Sequence, residues 1–153
     1  MSNILIDISA SDEWNKKEIS LVRKILLFSF KSLSNKKLTE ISVRLTGDEE
    51  IQMLNKQFRD KNSPTNVLSF CSLNNSSHPD ASDILGDIVI SKDTVLREAN
   101  ESSKNFEQHL SHLGIHGLLH LLGYSHDKEK EALIMEGIEV EKYIVPKQRF
   151  WDI

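Results

Sequence analysis

His116 and His120 stand four residues apart in the stretch HLGIHGLLHLLGYSH, residues 112–126, so on an α-helix they share one face, about one turn from each other. That spacing lets two imidazoles reach one metal ion. His126 follows six residues after His120, a step that on an unbroken helix would swing it about 120° away. The helix must therefore end first, and Gly123 is the residue type that takes a left-handed conformation cheaply and caps a helix while turning the chain. The stretch supplies two ligands from a helix, a break, and a third ligand from the returning turn. Three neutral imidazoles suit zinc, or another borderline divalent ion, and leave a fourth tetrahedral position open for water. Open coordination implies catalysis.

The spacing HxxxHxxGxxH equals that of the metzincin peptidases, except that Gly117 stands where those enzymes carry the glutamate base. The absence of a glutamate at this position argues against peptidase chemistry of that type. A glycine inside a helix costs about 1 kcal/mol relative to alanine, so Gly117 is expected to admit something bulky, either substrate or a neighbouring backbone. The competing interpretation is a buried helix whose histidines are hydrogen-bonded core residues, since 110–122 is apolar around most of its circumference. Three histidines at this spacing with a glycine break favour the metal. His112, one turn before His116, is a candidate to contact substrate or orient the site, and His109 is expected at a polar rim.

A chain of 153 residues, 39% hydrophobic and 27% charged, is ordinary for one globular domain with a real core, and residues 1–153 are read as a single domain. No apolar run approaches the ~20 residues needed to span a bilayer, and the opening MSNILIDISASDEW lacks the basic region and cleavage site of a secretory signal. A cytoplasmic location with no membrane partner is the expectation. The single cysteine, Cys71, excludes an internal disulfide framework and reads as a small core residue at a strand end. Net charge is −4, so nucleic-acid binding would need a local basic patch.

Apolar alternation predicts strands over 3–9, 36–46, 66–71 and 85–91, with Gly86 hinting at a bulge or a close backbone approach. Helical spacing predicts helices over 14–30, with Ser11 and Asp12 as caps and Trp14 as anchor, and from Thr46 to 58, where Thr46 and Glu49 make a capping-box pattern and Ile51, Leu54 and Phe58 the buried face. Helices are also expected over 93–100, from 106 through the histidines, and over 128–143. The polar loop 59–65 ends at a proline, and 72–83 reads as a loop in which His78 is solvated. The order predicts an α+β domain, a mixed four-stranded sheet packed with about five helices, with the metal site on a helix of the C-terminal half and the turn after it. Helical crossovers favour parallel pairing of the first three strands; the non-helical link into the fourth permits an antiparallel partner.

Three separated segments, LNKQFRDKNSPTNVLSF (54–70), LGDIVIS (85–91) and HGLLHLLGYSHD (116–127), resemble the YbeY family of bacterial endoribonucleases, in the family's order and over nearly the whole chain. The resemblance implies a zinc-dependent, single-strand-preferring endoribonuclease acting in small-subunit ribosomal RNA 3′-end maturation and ribosome quality control, with the ribosomal small subunit and assembly factors as partners. It carries the metal ligands onto His116, His120 and His126 and the family's functional arginine onto Arg59. Arg59 and His116 are then the catalytic candidates, and Arg59, Lys61 and His112 the substrate-binding ones. On spacing alone Arg59 would be a surface ion pair after a helix. Asn66 and Ser125 depart from the family's usual aspartates, with Asp87 and Asp127 as candidate substitutes whose alternative is a strand-end or cap role.

A divalent ion held by three histidines lowers the pKa of bound water towards about 7 and polarises a phosphoryl oxygen. The guanidinium of Arg59 is suited to bind two phosphoryl oxygens through its planar fork. Alternatively the ion positions the phosphate while the RNA 2′-hydroxyl attacks. Two competing functions stand beside these: a non-catalytic ribosome-assembly factor with a structural metal, which would normally have a closed coordination shell, and a metallohydrolase of another substrate class.

Overall fold

The computed structural model describes residues 3–33, 38–72 and 83–123. Eight elements follow one another: β1 (Asn3–Ala10), α1 (Lys16–Leu33), β2 (Leu38–Thr46), α2 (Asp48–Arg59), β3 (Val67–Cys71), β4 (Asp83–Ser91), α3 (Lys92–Glu101) and α4 (Phe106–Leu121). The helix expected over 128–143, positions 73–82 of the loop expected over 72–83, and His78, Ser125, His126 and Asp127 lie outside the described residues. No described helix is long and apolar enough to cross a membrane.

The strands form one sheet in the order β1-β2-β4-β3. β1, β2 and β4 run parallel and β3 runs antiparallel to β4 at the edge. The expectation that the first three strands are parallel therefore fails at β3. β4 is apolar on both faces, with Ile88 and Ile90 buried on one and Val89 on the other, so it takes the central place beside β2. The shorter β3 is left outside it.

α1 and α4 cover one face. Val22, Leu26 and Phe30 of α1 and Leu110, Leu113 and Leu118 of α4 join Ile41, Val43, Leu45, Ile88 and Ile90 in a single core, which also includes the fully buried Val95 of α3. The far face carries a smaller cluster in which Ile51 of α2 packs on Leu68 and Val89, flanked by Leu54 and Phe70. Leu5, on that face of β1, is 55% exposed.

Two helix starts differ from expectation. α1 is opened by a reciprocal pair in which Asn15 Oδ1 accepts from the Glu18 N–H (2.8 Å) and Glu18 Oε1 accepts from the Asn15 N–H (2.9 Å), not by Ser11 or Asp12. Trp14 is the anchor expected of it: it is buried, and its indole N–H donates to the Thr46 carbonyl at 3.0 Å. The Thr46–Glu49 capping box does not form, because Thr46 is spent as the buried last residue of β2 and Gly47 is the N-cap. The Asp48 N–H donates instead to Asp93 at 2.9 Å, while the Asp48 carboxylate accepts from Ser91 (2.7 Å), Thr94 (2.6 Å) and Arg97 (3.0 Å). The buried residues of α2 are Ile51 and Asn55, not Phe58, which is 59% exposed.

Gly86 is the bulge the sequence hinted at. The register between β2 and β4 slips at Glu40/Ile41, and the slip lets Leu85 and Ile88, three apart, face the same core. Gly86 sits at φ +150°, and a Cβ there would lie 2.1 Å from the Phe70 carbonyl oxygen and 2.8 Å from Leu121. Gly86→Ala is expected to destabilise the protein by about 3 kcal/mol or more through strain and backbone overlap. Urea unfolding measures this, and an unchanged midpoint would show that the bulge is dispensable.

Candidate metal centre

α4 presents the histidines. Its first turn is capped by Asn105, whose side-chain oxygen accepts from the N–H groups of Glu107 (2.8 Å) and Gln108 (3.2 Å). Its last turn closes with the Leu122 N–H on the Leu118 carbonyl (3.0 Å) and the Gly123 N–H on the His120 carbonyl (3.1 Å). Gly123 has φ +93°, with nothing within 4 Å of where a Cβ would be, so glycine is required by conformation and not by space. The break after His120 is thus as the spacing requires.

The Nε2 atoms of His116 and His120 lie 3.0 Å apart, with the rings nearly perpendicular at 81°. Two nitrogens each about 2.0–2.1 Å from a tetrahedral zinc are separated by roughly 3.3 Å, so the pair fits an ion with a shift of a few tenths of an ångström. The carbonyl end of the helix, where His120 sits, also favours positive charge. Among the described residues no third His, Cys, Asp or Glu completes the group; His126 lies outside them.

Gly117 has a neighbouring strand against it. A Cβ there would meet Ile88 at 3.1 Å and the Ser69 hydroxyl at 3.2 Å. The position that bears the peptidase glutamate therefore points into the sheet, where no base would reach a substrate. The Ser69 hydroxyl donates to the Gly117 carbonyl at 3.2 Å, between the two histidines. The Ser69 carbonyl in turn accepts from Arg59 Nη2 at 3.2 Å, and the guanidinium carbon lies 5.9 Å from the centre of the Phe70 ring. One residue of β3 thus ties Arg59 to the histidine helix. Ser69 was not legible as such: a serine at an alternating strand position carries no signal of what it faces. Lys61 is exposed just beyond α2, as is Lys56 within it.

Two residues differ from expectation. Cys71 is exposed at the end of β3, its Sγ 3.7 Å from the His120 carbonyl, because the strand's last residue reaches past the core. His109 is 2% exposed, and its Nε2 lies 2.9 Å from Glu98 Oε1. An ionised carboxylate only accepts, so Nε2 carries the proton. His112 is 1% exposed, facing protein within the same helix packing.

Glu98 also accepts from the Asn66 side-chain amide, at 3.0 and 3.3 Å. Asparagine at this position donates to a carboxylate, which an ionised aspartate cannot do. Burial pushes the Glu98 carboxyl up, but hydrogen bonds from His109 and Asn66 and the Arg97 charge outweigh it, so it titrates below the ordinary glutamate range. A carboxyl depressed on folding contributes stability that is present above its unfolded pKa, about 4.3, and is lost as pH falls through the lower folded value. Thermal melts are expected to lose stability in that acid window, and Glu98→Gln to lose less across it; parallel pH profiles for the two proteins would remove Glu98 from the acid response.

Comparison with known proteins places the chain in a group. The family described as Endoribonuclease YbeY matches residues 6–144. An Endoribonuclease YbeY of Dichelobacter nodosus is 43% identical over 143 residues, covering 91% of this chain and 90% of the relative. That of Bartonella bacilliformis is 40% identical over 138 residues, covering 88% and 86%. A Thermotoga maritima protein solved in solution aligns with a TM-score of 0.60 at 28% identity, covering 96% of this chain and 89% of the other.

Proposed function

The chain belongs to the YbeY endoribonuclease family, and from that premise we propose that it is a zinc-dependent endoribonuclease that cuts single-stranded ribosomal RNA, in small-subunit 3′-end maturation and ribosome quality control. Metal dependence belongs to the family; zinc is our choice of ion, on the chemistry of imidazole donors. The observation that carries the reading is the 3.0 Å approach of His116 and His120 on a helix bonded through Ser69 to Arg59.

His116 and His120 would hold the ion from the helix and His126 from the turn, leaving one position for solvent. When bound, the ion supplies Lewis acidity towards a phosphoryl oxygen and a water of lowered pKa. Arg59 supplies the complementary charge. Its planar guanidinium can form two parallel hydrogen bonds to phosphoryl oxygens as negative charge builds there. The contacts to the Ser69 carbonyl and the Phe70 ring hold it ready before RNA arrives. Lys61 adds positive charge beside it, which makes binding salt-dependent. His112 serves by orienting the helix face from beneath, given its burial. Gly117 leaves no glutamate base, so the nucleophile, whether solvent at the site or the RNA 2′-hydroxyl, would pass its proton to surrounding solvent. Water attack leaves a 5′-phosphate and a 3′-hydroxyl, whereas 2′-hydroxyl attack leaves a cyclic phosphate.

We assign the whole chain to one functional domain working in the cytoplasm, with the small ribosomal subunit and its assembly factors as partners. Protein loaded with zinc is expected to cut unpaired RNA and leave duplex RNA intact. Chelation should abolish cutting and zinc restore it. Cleavage that persists at the same rate after the metal is stripped would refute the reading.

A further inference from the structure

α2 covers only the β3–β4 half of the sheet's far face. The part left open, over β1, β2 and the adjoining stretch 87–89 of β4, is the floor of a groove of about 630 Å³, a size usual for small-ligand sites. One wall is aromatic: Phe58 and Phe70 meet edge to face at 5.3 Å, and Phe58 stays 59% exposed. The groove is lined mostly by apolar surface, Val43 and Val89 included, and the polar groups at its floor are those of Asp7, Asp87 and Ser42. Arg44 adds no free charge there, since Glu50 binds it at 2.8 and 3.0 Å and its Nη1 donates to Ser9 at 2.7 Å.

A single exposed phenylalanine is ordinary on a protein surface, but Phe58 has a particular setting. It adjoins Arg59 in sequence, and Arg59 contacts Phe70 on one side and, through Ser69, the histidine helix on the other. The exposed cations Lys56, Arg59 and Lys61 gather at this end of α2, while carboxylates line the groove itself. Phosphate is attracted to the rim and repelled from the floor. A flat, uncharged group attached to a phosphate satisfies both conditions.

Building on the endoribonuclease reading, we propose that the groove walled by Phe58 and Phe70 is a nucleobase subsite, which takes one unpaired base of the RNA next to the phosphate held by Arg59. The base stacks on Phe58, as unpaired bases do on exposed aromatic rings. Its edge meets the floor, where carboxylates accept hydrogen bonds from exocyclic amino groups. The subsite therefore favours cytosine, adenine and guanine over uracil, which has no amino group.

The test is binding of fluorescein-labelled RNA oligomers to the full-length, zinc-loaded protein. Wild type is expected to bind oligo(C) and oligo(A) more tightly than oligo(U). Phe58→Ala should weaken binding about tenfold, with Phe58→Trp restoring it and Met53→Ala, exposed on the same helix, leaving it unchanged. Unaltered RNA affinity in Phe58→Ala overturns the subsite while the endoribonuclease reading stands, and is also the result expected if the groove instead takes a protein segment. Failure of wild type to bind any of the oligomers overturns that reading, and the subsite with it. Should Phe58→Ala fail to fold, photocrosslinking of wild type to RNA carrying 6-thioguanosine decides the matter: adducts on α2 or β3 support the subsite, and adducts confined elsewhere overturn it.

Discussion

Replacing His120 with alanine is expected to strip the metal from the protein and lower RNA cleavage by about a thousandfold or more. The site has three protein ligands at most from the sequence pattern, so the loss of one removes a third of the binding set, and with it the Lewis acid, worth several kcal/mol of transition-state stabilisation. The fold should survive. His120 is half-buried at the end of α4, and the core beneath is built by Leu110, Leu113 and Leu118, none of which depends on the ring. Metal content, cleavage rate and a thermal melt on the same preparation separate two accounts. Loss of metal and activity in a folded protein supports catalysis; unfolding with RNA binding retained in stabilised variants would favour a metal that only holds the fold.

Arg59→Ala should lower the cleavage rate constant about 10²–10³-fold, the usual loss when one preorganised donor to a developing anion is removed. Zinc content should not change. Arg59 is bonded to the Ser69 carbonyl and lies against Phe70, and neither contact passes through an imidazole. Lysine at this position should recover only part of the rate, because a point charge cannot reproduce the planar fork. Single-turnover kinetics with zinc quantified in each variant is the measurement. A rate equal to wild type would take Arg59 out of the chemistry.

Much of the fold could be read because period and burial agreed. The alternation of Ile41, Val43 and Leu45 marks β2, and the i, i+4 spacing of the histidines marks the face of α4 they share. Gly123 could be read because only a backbone turn explains a glycine there, and its φ of +93° bears this out. The misreadings share a cause, which is that the partner is distant in sequence. His109 looked like a rim residue until Glu98, which also accepts from Asn66, supplied a partner for its buried ring. Thr46 looked like a helix cap because nothing local shows that its carbonyl receives the Trp14 indole and that its side chain ends a strand. The direction of β3 was hidden for the same reason: a helix between strands permits a parallel neighbour, but the central position went to the more apolar β4. Phe58 is different in kind. Its spacing with Ile51 and Leu54 was correct for a buried face, and it is exposed because α2 covers only part of the sheet.

X-ray absorption at the zinc edge of the loaded full-length protein addresses the central claim directly. Three imidazole nitrogens at about 2.0–2.1 Å and one light solvent atom are predicted, falling to two imidazoles in His126→Ala. Four protein ligands in wild type, or an unchanged imidazole count in that variant, would contradict it.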